Sequence, residues 1–254
     1  MPSIFRLEIE EKLLDILGGE DDKGHSAMKT CSLVCHTFLH ICRKHIFDSI
    51  FLNASTIRAF ARLLRNTPEI GDYIRELVLL FYPVQLEDLA NTWIQESFKR
   101  ISRLEILRVH PRIAPRLDWS SNPFRPLLLH LLHLPTLTQF IVEDFDDFVV
   151  SDLIPCVNLK YLDIGFLTTV AAKNTFPATL PKHSIQLDQF VAQIGAPTTI
   201  MNLCTAQRPD GQPIVDFGSL SRIKVDIQVS IEGEASQDLF RHCHALTHAQ
   251  ITCK

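Results

Sequence analysis

Glycine is scarce in this chain, with 9 residues in 254. So little glycine argues against a cofactor cradled by backbone. Neither a Gly-x-x-x-x-Gly-Lys phosphate loop nor a Gly-x-Ser-x-Gly nucleophile elbow occurs. A dominant charge of one sign is missing too. The formal net charge is -4 and the pI about 6.2, which leaves no global field to attract nucleic acid or an anionic membrane surface. Long apolar runs are absent: the longest charge-free stretches, Pro126 to Val142 and Gln189 to Gln207, are interrupted by Pro, His, Gln, Asn or Gly, and neither reads as a membrane span. The seven cysteines are an odd number without framework spacing, and Met1 to Leu17 carries Arg6, Glu8, Glu10, Glu11, Lys12 and Asp15, unlike a signal peptide. Free thiols in a reducing compartment, cytoplasmic or nuclear, are the expectation.

What is present is a repeat. The hexad Leu159-Lys160-Tyr161-Leu162-Asp163-Ile164 has large apolar residues at its first, fourth and sixth positions, and the same spacing returns with first members Phe47, Ile74, Leu104, Leu137, Leu187, Leu220 and Leu246. Successive first members lie 22 to 33 residues apart. That resembles the roughly 20 to 29 of a leucine-rich repeat. The last three hexad residues alternate with period 2, the signature of a strand with one buried face. A lone strand cannot hide that face, so the copies are expected to stack in parallel, each followed by a helix or loop that covers the back. Leu162→Asp should then be severe and Asp163→Ala nearly silent. The copies containing Ala192 and Ala249 are the weakest, because alanine fills little of a core.

Ahead of the repeats, Glu8 to Leu17 carries an apolar stripe of Ile9, Leu13, Ile16 and Leu17, ended by Gly18-Gly19. A second helical pattern places Ala27, Cys31, Val34, Cys35, Phe38, Leu39 and Cys42 on one side. Further on, helices are expected over 55–65, capped by Ser55, over 86–101 and over 124–134. The longest strand signal runs from Ile223 to Ile231, and 165–184 reads as an irregular loop.

Three segments of the first 52 residues resemble an F-box: Phe5-Arg6-Leu7-Glu8-Ile9, Ser32-Leu33-Val34-Cys35-His36-Thr37-Phe38 and Ile46-Phe47-Asp48-Ser49-Ile50-Phe51-Leu52, with Arg6 where the family carries proline. The resemblance implies docking on a Skp-type adaptor and, through it, membership of a cullin-RING ubiquitin ligase. Carried over by position, Phe5, Ile9, Ile16, Leu33, Val34 and Phe38 form the partner-facing or supporting apolar set. The expected architecture is α/β, with an F-box-like helical head over 1–47 and an irregular leucine-rich-repeat-like array with a parallel sheet over 48–254.

In such an array, the residues between the large ones face the open side of the sheet. Glu76, Arg108, Gln139, Tyr161, Asp163, Arg222 and Lys224 are the candidates for contact with a protein target, a mixture of charge, amide and aromatic groups suited to protein recognition. No catalytic set, cofactor or metal is expected. Cys31 and Cys35 share a helical stripe from which His36 and His40 diverge by about 100°, so these four do not converge on one tetrahedron. In the cluster His242, Cys243, His244, His248 and Cys253, a strand places His248 opposite to its neighbours at odd spacing, which disfavours a shared metal. Asp216-Phe217-Gly218 copies a kinase triplet without the accompanying loops, and the run Glu143 to Asp147 reads as a solvated turn. The expected function is a non-enzymatic substrate adaptor. Open alternatives are an interaction scaffold without ligase recruitment and an enzyme built on the thiol and histidine clusters around Cys31 and His242.

Overall fold

A computed structural model describes residues 12, 22–34, 36–53, 55–81, 91–111, 117–165, 169, 181–193, 197–227 and 230–253. The expected helix over 8–17, apart from Lys12, and most of the expected loop over 165–184 lie outside them. The architecture is α/β with a parallel sheet. Helices α1 (Asp22–Cys31) and α2 (His36–Ile46) come first. Between them the single helical pattern expected from Ala27 to Cys42 is broken. The Ser32 hydroxyl donates to the Lys29 carbonyl at 2.7 Å, while the amides of Leu33 and Val34 donate to the carbonyls of Thr30 and Cys31, closing a turn in place of a continuing helix. Met28, Ile41 and Cys42 make a small core of their own, with Cys31, Phe38 and Ile46 packed on it. Arg43 reaches Glu69 at 3.5 Å and Tyr73 Oη lies 3.3 Å from His40 Nδ1, joining α2 to the segment that precedes the second strand.

The main sheet has eight strands, all paired in parallel and, in space, following their order in the chain. They are β1 (Ser49–Asn53), β2 (Glu76–Phe81), β3 (Ile106–Pro111), β5 (Gln139–Val142), β7 (Tyr161–Ile164), β9 (Gln189–Ala192), β11 (Arg222–Ile227) and β12 (His248–Cys253). Every hexad supplies one strand. The fourth hexad residues align in register as Ile50, Leu77, Leu107, Phe140, Leu162, Phe190, Ile223 and Ala249, one continuous ridge. From Leu77 to Ile223 this ridge is buried. Even the weak copy holds its place, with Ala192 buried beside Val225 and Ile164. The strands also begin alike. Two successive amides donate to one carbonyl of the preceding unit: those of Arg75 and Glu76 to Asp48, of Glu105 and Ile106 to Arg75, of Thr138 and Gln139 to Glu105, and so on to Thr247 and His248 on Ser221. This shared acceptor sets the register at each strand entry, so each new hexad enters in step with the last.

Helices and short 3-10 turns return the chain behind the sheet. Helix α3 (Ile57–Asn66) buries Ile57, Phe60, Ala61 and Leu64. At its start Asn53 Oδ1, not the expected Ser55 hydroxyl, accepts the amides of Ser55 and Thr56. Helix α4 (Thr92–Phe98) begins at Asn91, whose side chain accepts the Trp93 amide. The expected helix over 124–134 is α5 (Arg125–Leu132), with Leu127, Leu128, Leu131 and Leu132 buried. Two short parallel ribbons pair β4 (Leu117–Asp118) with β6 (Phe145–Asp146) and β8 (Ile185–Gln186) with β10 (Val215–Asp216). The acidic run is thereby explained as structure. Phe145 packs edge-on against buried Trp119, and Asp144 and Asp147 adopt left-handed backbone at φ 57° and 54° on either side of the ribbon.

One strand expectation fails. The alternation from Ile223 to Ile231 ends as a strand at Ile227, and α7 (Ser230–His242) begins at Ser230, packing against α6 (Pro197–Thr205). Among the described residues its pairing with β9 reaches Ala192, opposite Val225, and its pairing with β12 reaches Cys253, opposite Ile227.

Candidate functional site

Residues between the ridges form rows across the opposite side of the sheet. One row runs Ser49, Glu76, Ile106, Gln139, Tyr161, Gln189, Arg222 and His248, and the next runs Phe51, Val78, Arg108, Ile141, Asp163, Val191, Lys224 and Gln250. All seven residues expected to meet a target fall in these two rows. Arg222 is exposed, Glu76, Arg108, Gln139, Tyr161 and Lys224 are half-buried, and Asp163 is buried.

Charges in the first half of the face are satisfied locally. Glu76 accepts from Ser49 Oγ at 2.9 Å and from Arg108 Nε at 2.8 Å, and His110 Nδ1 lies 2.9 Å from Glu143 Oε2. Gly165 allows this arrangement: a Cβ there would overlap the Glu143 side chain, which lies across the end of β7. Asp163 is the centre of the face and corrects an expectation. It is 8% exposed, between Ile141 and Val191 in its row, both of which are buried. The Tyr161 hydroxyl donates to it at 3.3 Å and Gln193 Nε2 at 3.3 and 3.5 Å. Burial pushes its carboxyl up to about 6, Glu143 adds in the same direction, and the two hydrogen bonds and Lys224 pull the other way. A position read as a silent surface carboxylate is therefore an energetically costly one. The Tyr161 phenol is pushed up to about 12, by burial first and by Asp163 next.

Gln189 and Gln193 belong to this face and were missed. The hexad that ends in Ala192 is a weak repeat copy, yet the spacing used for the other strands selects Gln189, and Gln193, just past the hexad, continues the same alternation. In the helical pair, Leu33 and Val34 stand 86% and 69% exposed in the turn between α1 and α2, whereas Phe38 is half-buried against Met28, Ile41 and Cys42. Phe5, Ile9 and Ile16 lie outside the described residues.

Among the described residues no group of three or more His, Cys, Asp or Glu side chains is arranged to hold a metal. Cys204, His242, His244 and Asp216 line a recess beside α6. Burial pushes the thiol of Cys204 up to about 12 and that of Cys243 to about 11, so both are thiols, not thiolates, at neutral pH. No protein-family model matches the chain, and comparison with curated proteins gives no match.

Proposed function

We propose that the protein is a substrate-recognition adaptor of a cullin-RING ubiquitin ligase, working in the cytoplasm or nucleus without chemistry of its own. In this reading residues 1–47 are an F-box-like head that docks on a Skp-type adaptor, and residues 48–254 are an irregular leucine-rich-repeat-like array whose open face binds a protein target. Ubiquitin transfer then belongs to the partners. The observation that carries the reading is the exposure of Leu33 and Val34 at the apex of the α1–α2 turn. Two adjacent branched apolar side chains in water are unfavourable by about 1.5 to 3 kcal/mol each relative to burial, and a partner surface supplies that burial. They sit within the stretch Ser32 to Phe38 that resembles the family.

The full chain co-expressed with a Skp-type adaptor is expected to co-purify with it at micromolar concentration. The double variant Leu33→Asp/Val34→Asp should lose the complex while its circular dichroism stays that of the parent, because both side chains are exposed. Absence of a complex with the parent chain would transfer the reading to an interaction scaffold without ligase recruitment, which Arg6 in the family's proline position favours.

A further inference from the structure

The two halves of the sheet face differ in charge balance. From β1 to β7 the carboxylates have close partners: Arg108 Nε lies 2.8 Å from Glu76, and His110 Nδ1 lies 2.9 Å from Glu143. On β11 the cations of the face have none among the described residues. Arg222 and Lys224 point to the same face two residues apart on β11, about 7 Å along the strand. His248 is the direct register partner of Arg222, one strand spacing of about 5 Å away. Among the described residues the side chains of Arg222 and Lys224 form no salt bridge or hydrogen bond; Asp226 lies two residues further on β11, and buried Asp163 feels Lys224 only through space. Gln189 and Gln250 border the cations in the same rows with uncharged amides. Arg222 and Lys224 against Asp226 leave this part of the face with one positive charge in excess, on a chain whose net charge is -4.

We infer that the β9–β11–β12 part of the face receives an acidic, carboxylate-rich segment of a protein target, with Arg222 and Lys224 as its ionic contacts and Gln189 and Gln250 as hydrogen-bonding neighbours. The inference rests on reading the open face as the target surface and adds the chemical class of what binds. Charge complementarity of this kind steers encounter and discriminates between partners. An arginine paired with a carboxylate adds two-pronged geometry.

The test measures fluorescence anisotropy of the full-length chain with labelled peptides of alternating Glu-Ser, Gln-Ser and Lys-Ser sequence. The Glu-Ser peptide should bind at least about tenfold tighter than the other two, and progressively more weakly as salt rises. Arg222→Glu/Lys224→Glu should lower its affinity by about tenfold or more, and the milder Arg222→Gln/Lys224→Gln by a smaller factor. Arg62→Glu on α3, the same change of charge at an exposed position elsewhere, should leave it unchanged. Equal affinity for the Glu-Ser and Gln-Ser peptides, an unaffected Arg222/Lys224 variant, or an equal loss with Arg62→Glu would overturn the inference. Adaptor capture by the same preparations separates the two readings: a chain that holds the adaptor but fails here loses only the acidic target, and one that binds the peptide selectively without the adaptor loses only ligase recruitment.

Discussion

Behind the sheet, Asp152 accepts the Trp119 indole N–H at 2.7 Å and both prongs of Arg125, whose Nη2 donates at 2.8 and 2.9 Å. With its carboxylate 9% exposed, removing it strands a guanidinium and an indole donor together. Asp152→Ala should cost about 3 kcal/mol in chemical denaturation. Asp163 works in the opposite direction. Its folded-state value of about 6 is above the ordinary 3.8, so between those values the native state holds a proton that the unfolded chain releases. Stability therefore falls as pH rises from about 4 to 6 and stays reduced above that. Asp163→Asn removes this dependence, and its stability relative to the parent should improve by about 1 to 3 kcal/mol between pH 4 and pH 7.5, read from urea midpoints. A difference that stayed flat across that range would show that Asp163 titrates normally.

At the scale of the element, each strand is held by one or two inward side chains and by the shared carbonyl at its entry. Leu162 lies fully buried between Phe140 and Phe190 in the ridge. Leu162→Asp places an uncompensated charge there, and loss of the cooperative fold is expected, seen as absence of a thermal transition. At the far edge, Ile251 holds the sixth hexad position on β12, in the row of fully buried Ile164, but is 48% exposed, so Ile251→Thr should change the midpoint by little, within about 0.5 to 1 kcal/mol. Equal hexad positions thus differ in energetic weight with the number of neighbours their strand has.

For the whole molecule, the Met28, Ile41 and Cys42 cluster is distinct from the large core that runs from Leu52 to Leu239. Among the described residues that cluster has three buried side chains, and so small a core opens more readily than one continuous across seven strands, so hydrogen exchange should be faster in α1 and α2 than in β3 to β9. Met28→Ala should speed it in the helices alone; spread of the effect into the central strands would mean that the two cores open together. The repeat itself was legible in the sequence, because the spacing of large residues states which side chains must be buried, and the long return between copies suits parallel stacking of short single-faced strands. The open face was legible by subtraction, as the residues left between. The burial of Asp163, the pairing of Glu76 with Arg108 and of Glu143 with His110, and the exposure of Val34 in a turn that helical periodicity had run through were decided by the tertiary structure. Each depends on what a neighbouring strand or turn brings alongside from some 20 to 30 residues away, or on a local hydroxyl capturing a carbonyl, and apolar spacing along one chain segment carries neither.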